Sequence, residues 1–213
     1  MDFLQVRVAD NSEAIVIAFD ICSSSDIVEQ FIKRGELHRY VTLLTKIKEY
    51  LAAQQVALQK TALFEPYKFT GDGWILLFPT TPESRQVVGP AVLRFMRELS
   101  VWYGRAFPTL IDEHLDTALP TPGITFGVDV GQIHHMKVFQ RDEYVGRAII
   151  VACRLQGAVK ENDTSPEYKA LVSNAAFNVF GDGVSGFNLR DDVRKLWNIS
   201  LGKDFRCKNI KLI

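Results

Sequence analysis

The chain has little of what would mark an unusual environment. Of its 213 residues three are cysteine, Cys22, Cys153 and Cys207. They are far apart, odd in number and form no CxxC pair, which argues against a disulfide framework and fits a reducing cytoplasm. No charge of one sign prevails: 25 basic and 25 acidic residues leave a formal net charge of zero. A nucleic-acid coat or an anionic-membrane binder shows a basic excess, so neither is expected. A nucleotide, which needs only a local basic group or two, stays open. No run approaches the roughly 20 apolar residues that span a bilayer. Met1-Asp2-Phe3-Leu4-Gln5 lacks the basic stretch and long apolar run of a signal peptide. No internal repeat, low-complexity segment or Pro/Gly/Ser-rich linker divides the chain, so one domain over 1–213 is expected.

What is present is an alternation of strand and helix patterns. Apolar residues make up 47% of the chain, enough for an ordinary core. Residues 14–21 read as a buried strand. Ser23-Ser24-Ser25-Asp26 then offers an N-cap cluster for a helix over 26–34. Gly35 interrupts, and Leu37, Tyr40, Val41, Leu44, Ile47, Leu51 and Val56 continue at helical spacing to about residue 58. Residues 66–78 read as a hairpin around Gly71-Asp72-Gly73. A helix over 84–107 carries a core stripe of Val88, Val92, Phe95, Met96, Leu99 and Trp102. Residues 108–122 read as a long loop with some helix. A strand over 124–133, a helix over 146–159, a short strand over 171–173 and a terminal strand over 209–213 follow. The hairpins argue against a purely parallel sheet. The expected class is α+β, with helices covering a mixed or antiparallel sheet.

Asp20 and Asp72 stand out against this pattern because each sits where an apolar strand ends or turns. A carboxylate there is costly unless something pairs with it. Two of them on neighbouring strands would hold hard divalent cations through oxygen and so serve phosphoryl transfer. Plainer roles exist for each: Asp20 as a helix cap, Asp72 as an ordinary Asp-Gly hairpin residue, and Arg154, Lys68 and Glu143 as solvated charges. His134 and His135 project to opposite strand faces, which fits contact residues better than a metal pair. Gly181-Asp182-Gly183 reads as a turn.

Five segments in order resemble the catalytic domain of class III nucleotidyl cyclases. They are Phe19-Asp20-Ile21 before a hydroxyl-rich turn; Lys68-Phe69-Thr70-Gly71-Asp72-Gly73; the strand over 123–131; Tyr144-Val145-Gly146 followed by Ile150 and Ala152-Cys153-Arg154-Leu155; and Leu171-Val172-Ser173. The resemblance implies a ferredoxin-like sandwich that works as a homodimer with active sites at the interface. The substrate would be a nucleoside triphosphate, cyclised with loss of pyrophosphate. Asp20 and Asp72, with the backbone carbonyl of Ile21, would hold two Mg²⁺ or Mn²⁺ ions. Amides of residues 22–25, with Ser23 and Ser24, would face the triphosphate at a helix N-terminus. Arg154 would reach the α-phosphate from the partner subunit, and Lys203 would meet the terminal phosphates. Lys68 and Glu143 would read the base, as a donor–acceptor pair more like the adenine-selecting type than the guanine-selecting one.

One position departs from the family: Ile150 stands where an asparagine orients the ribose. With that determinant gone and no attached regulatory segment expected, the chain resembles the bacterial pyrimidine cyclases of anti-phage signalling. That implies conversion of UTP to cyclic UMP, with Tyr50 as the bulky side chain that favours the smaller ring. An adenylate cyclase stays open, as does a degenerate cyclase-like domain that binds a nucleotide or partner without catalysis. A diguanylate-cyclase relative is disfavoured, because its Gly-Gly-acidic turn signature is absent.

Overall fold

Every second residue of the first apolar run faces one layer of helices, and the residues between them face another. The run is β1 (Ser12–Ile21). Its Ile15, Ile17, Phe19 and Ile21 enter one core cluster, while Ala14, Val16 and Ala18 enter a second. A strand with period 2 that is covered on both sides must be apolar at consecutive positions, which is why it reads as a continuous run.

In the computed structural model, residues 3–4, 8, 11–119, 121–161, 163, 165–200 and 202–213 are described. Met1, Asp2 and Gln5, read above for a signal peptide, lie outside them. After β1 come α1 (Ser24–Arg34), α2 (His38–Ala57), β2 (Glu65–Phe69), β3 (Gly73–Thr80) and α3 (Arg85–Leu110). Then follow β4 (Ile124–Val138), β5 (Arg141–Val145), α4 (Arg147–Ala158), β6 (Lys169–Ser173), α5 (Asn174–Phe180), β7 (Asn188–Arg194) and β8 (Phe205–Lys211). The sheet runs β2-β3-β1-β4-β6-β8-β7, and β5 folds back on the outer half of β4. Among the described residues only β4 and β6 pair in parallel; the other neighbours are antiparallel. The expected α+β class with a mixed sheet is what is found. Among the described residues no helix is long and apolar enough to cross a membrane.

The larger core lies on the side of α1, α2, α3 and α5, where Phe31, Leu43, Phe95, Leu99 and Phe180 pack on the sheet. On the other side α4 lies alone. Its Ala148 and Ala152 pack on Val16, Ala18 and Leu77, and its Val151 and Leu155 pack on Leu171 and Cys207. All three cysteines are free, and two of them, Cys22 and Cys207, are buried.

Several expectations shift in detail. On α2 the buried face is Tyr40, Leu43, Ile47, Leu51, Ala52 and Gln55, while Val41 and Val56 are exposed. A polar residue takes the inner place because it is fully bonded. The Gln55 amide accepts from Leu4 N at 2.7 Å and donates to the carbonyls of Leu4 at 3.0 Å and Phe64 at 2.8 Å. The third helix runs on to Leu110, past the point where Pro108 suggested a loop. Three elements carry no apolar periodicity. β5 has one buried residue, Tyr144, and is made by a two-residue turn in which Phe139 and Gln140 both take positive φ, 48° and 63°. Neither is the Gly or Asn that would announce such a turn. α5 starts at a Ser173 cap, whose Oγ accepts from Ala176 N at 3.1 Å. β7 is a mostly exposed edge, defined by its pairing to β8.

The seating of α4 depends on Gly127 of β4. A Cβ there would lie 2.0 Å from the Ala152 carbonyl oxygen and 2.2 Å from Gln156 N. Gly127→Ala should therefore lift α4 and cost about 1–3 kcal/mol. Gly157→Ala in α4 itself meets nothing within 4 Å and should add about 0.5–1 kcal/mol of stability. Urea unfolding of both variants reads the contrast, and a mild Gly127→Ala would show that the helix does not rest on this contact.

Candidate active site

Asp20 is the next-to-last residue of β1, opposite Gly73 on β3 and Thr125 on β4. It belongs to the alternate set that faces α4. The turn before β3 is pressed against it, because Gly73 has no side chain to hold it off: a Cβ there would sit 1.8 Å from the Phe19 carbonyl oxygen. Ile21 N donates to the Asp72 carbonyl at 3.2 Å, and Ser24 Oγ donates to Asp72 Oδ2 at 2.5 Å. The two acidic segments thus lie side by side.

Burial raises the Asp20 carboxyl from an ordinary 3.8 to about 7, helped by its hydrogen bond and like charge with Asp72 and opposed by Lys160. Lys160 Nζ stands 3.5 Å from Asp20 Oδ2. Asp20 Oδ1 is buried with no hydrogen-bond partner. A desolvated carboxylate oxygen without a donor, beside a second carboxylate, suits a hard divalent cation, so the residues present fit the expected metals. Among the described residues no group of three or more His, Cys, Asp or Glu side chains gathers to hold a metal. The protein would supply two carboxylates and backbone oxygen, with other ligands from water or substrate.

Beside the aspartates, α1 begins at Ser24 rather than 26, and Ser23 precedes it in the left-handed region at φ 55°. The expected side-chain cap is not made. Ser23 Oγ turns instead to Thr121, donating to its carbonyl at 3.2 Å, and Ser24 Oγ is taken by Asp72. The first-turn amides of α1 are left without a side-chain acceptor, next to the acidic pair.

The structure brings Lys68 and Glu143 together: Lys68 Nζ lies 3.3 Å from Glu143 Oε2. Tyr67 Oη donates to the same oxygen at 2.5 Å. Adjacent strand residues normally point apart, but the β2–β3 register shifts between Pro66 and Lys68, and this bulge turns both side chains toward Glu143. The Tyr67 bond, then Lys68, holds the Glu143 carboxyl below the usual range. Burial, then Glu143, pushes the Tyr67 phenol up to about 12.

The remaining expected residues are dispersed. Arg154 is exposed on α4, four residues after Ile150, which is itself 53% exposed. Among the described residues no hydrogen bond or ion pair joins Arg154 to Asp20 or Asp72. Lys203 lies in a short turn before β8, lining a cleft with Leu196, Trp197 and Ile199. Tyr50 is not a pocket residue. It stacks on Trp102 of α3, centroids 4.6 Å apart. The α2 residue that senses the aspartates is Tyr40, whose hydroxyl is pushed up by burial and then by Asp72 and Asp20. Tyr50 is ten residues further along, or about 15 Å of helix rise. Tyr67 and Lys160 were not foreseen: a bulge leaves no trace in a short strand, and a lysine just past a helix end reads as a solvated charge.

No protein-family model matches the sequence, and no curated protein matches it. Among solved structures, the fold is similar to the adenylyl cyclase CyaB from P. aeruginosa, with a TM-score of 0.70 at 14% identity, covering 94% of each chain. It is also similar to the guanylyl cyclase Cya2, with a TM-score of 0.67 at 14% identity, covering 95% of this chain and 93% of that one. A class III adenylyl cyclase-like ATP-binding protein from Pseudomonas aeruginosa aligns at a TM-score of 0.61 and 17% identity, over 79% of this chain and 35% of its own. The chain has the fold of class III cyclase domains, as its five ordered segments led one to expect.

Because the Asp20 value is raised by folding, the protonated form is the favoured one. Its contribution is present at acid pH and is lost as pH rises through about 7. In EDTA, Asp20→Asn should melt about 2–4 °C above the unsubstituted protein at pH 8.5 and by a smaller margin at pH 5, partway between the ordinary 3.8 and the raised value. Equal melting at both pH values would show that Asp20 is not strained in the metal-free state.

Proposed function

We propose that the chain is a nucleotidyl cyclase that converts a nucleoside triphosphate to a 3′,5′-cyclic nucleotide and pyrophosphate, working as a homodimer. The observation that carries this is the facing pair Asp20 and Asp72, one oxygen of it buried and unpartnered, set against the uncapped start of α1. The fold shared with adenylyl and guanylyl cyclases supports the reaction class.

Two Mn²⁺ or Mg²⁺ ions held by Asp20, Asp72 and the Ile21 carbonyl would supply Lewis-acid charge to the phosphate oxygens. The free amides of the first α1 turn receive the anionic phosphates, where the helix dipole favours negative charge. The Ser24 hydroxyl fixes the Asp72 carboxylate in place. Arg154 comes from the second copy, where a solvent-facing guanidinium on α4 reaches the α-phosphate; the exposed Ile150 one helical turn before it gives that contact an apolar side. Lys203 is assigned to the terminal phosphates. Lys68 and Glu143 offer the base one donor and one acceptor, already oriented by Tyr67. Ile150 in place of a ribose-orienting amide sets the chain apart from purine cyclases, and on that ground UTP is the assigned substrate. The product would be a cytoplasmic anti-phage messenger. Ile150 also supports a second reading, a domain that binds a nucleotide without turning it over.

Purified protein with Mn²⁺ and each of ATP, GTP, CTP and UTP should form cyclic UMP as the main product. Preference for ATP would replace the base assignment, and binding without turnover would favour the second reading. Asp20→Ala or Asp72→Ala should lower turnover by about 100-fold or more, the loss of a few kcal/mol of charge stabilisation. Mixing inactive Asp20→Ala with inactive Arg154→Ala should restore activity, because only the mixed dimer assembles one intact site. A mixture that stays inactive would place both residues in one chain's site.

A further inference from the structure

Lys160 is the one cation that touches the carboxylate pair among the described residues, and Asp20 is its sole hydrogen-bond and ion-pair partner there, at 3.5 Å. Its position is built rather than accidental. The α4 helix is pressed onto β4 at Gly127, and Gln156 Nε2 donates to Thr125 Oγ1 at 3.0 Å. Thr125 is the residue paired with Asp20 across β1 and β4. Lys160 lies in the turn two residues past the end of α4, four residues after Gln156, and its side chain reaches Asp20 beside that Thr125 contact.

We infer that Lys160 is a tethered counter-cation that competes with divalent metal for Asp20. This rests on the reading of Asp20 and Asp72 as metal ligands. The ammonium engages Oδ2 only, while Oδ1 stays buried and unpartnered, so one tethered cation leaves the pair half satisfied. A divalent ion on Asp20 and an ammonium a few ångströms away repel each other, and among the described residues no third acidic side chain gathers with the pair to hold both. Lys160 can leave: its side chain is 38% exposed on a flexible four-carbon stem. Once displaced it needs an anion, and the phosphates of an incoming nucleotide supply one. Metal alone therefore binds weakly, and metal arriving with its nucleotide binds well.

The test is Mn²⁺ binding followed by electron paramagnetic resonance at pH 8 and low salt, without nucleotide, so that activity plays no part. Lys160→Ala and Lys160→Gln should bind Mn²⁺ about five- to tenfold more tightly than the unsubstituted protein. Lys160→Arg, which keeps the charge, should bind like the unsubstituted protein. Asp20→Asn should bind most weakly. If Asp20→Asn is weak and the two neutral Lys160 variants bind no more tightly than the unsubstituted protein, the competition is overturned while the metal site stands. If Asp20→Asn binds as well as the unsubstituted protein, the carboxylate reading fails, and this inference with it. Since Lys160 lies beyond the end of α4, its variants should keep a single cooperative melting transition in EDTA, which separates a charge effect from loss of fold.

Discussion

A carboxylate that ends a strand buried on both faces has to meet a proton, a cation or a donor, and in this chain Asp20 meets parts of all three. Desolvation raises its affinity for a proton, Asp72 adds like charge, and Lys160 pulls the other way. The surrounding backbone is arranged to hold that balance. Gly73 lets the Asp72 turn close on β1, and Gly127 lets α4 come down until the segment after it reaches Asp20. Neither glycine is there for backbone freedom. Each is there because a Cβ would collide with a carbonyl oxygen.

The groups that would handle the nucleotide fall into separate sets within one chain. The aspartates, Ser24 and the start of α1 form an acidic corner beside helix amides that no side chain caps. Lys68, Tyr67 and Glu143 form a hydrogen-bonded trio where the β5 arm crosses β2. Arg154 looks outward from α4 with exposed Ile150 beside it. Among the described residues no hydrogen bond or ion pair joins the carboxylate pair, the polar trio and the Arg154 guanidinium, and this is the physical ground on which two copies are proposed as the working unit.

Much of this was legible in the linear pattern. The continuous apolar run of β1 announced a strand covered on both sides, and the Gly-Asp-Gly turn announced the hairpin that carries Asp72. The core stripe of α3 is where its spacing put it from Val88 to Leu99, but it continues through the buried Tyr103 rather than the expected Trp102, which is half-buried. What stayed hidden has specific causes. β5 and β7 are strands by pairing rather than by pattern, since β5 has one buried residue and β7 is a mostly exposed edge. Gln55 displaced Val56 from the core because three hydrogen bonds outweigh its polarity. Tyr50 has the bulk expected of a pocket wall, but helix phase and length aim it at Trp102.

The amino-acid sequence by itself determined the strand-helix order and placed two carboxylates at strand ends, because burial periodicity and turn chemistry act over a few residues. Only the tertiary structure decided which charges meet. Lys160 reaches Asp20 across 140 positions of chain, and Tyr67 and Lys68 reach Glu143 across 76 and 75. Those meetings depend on the sheet register, one bulge and the depth to which α4 settles, all of which are set by close packing between distant segments.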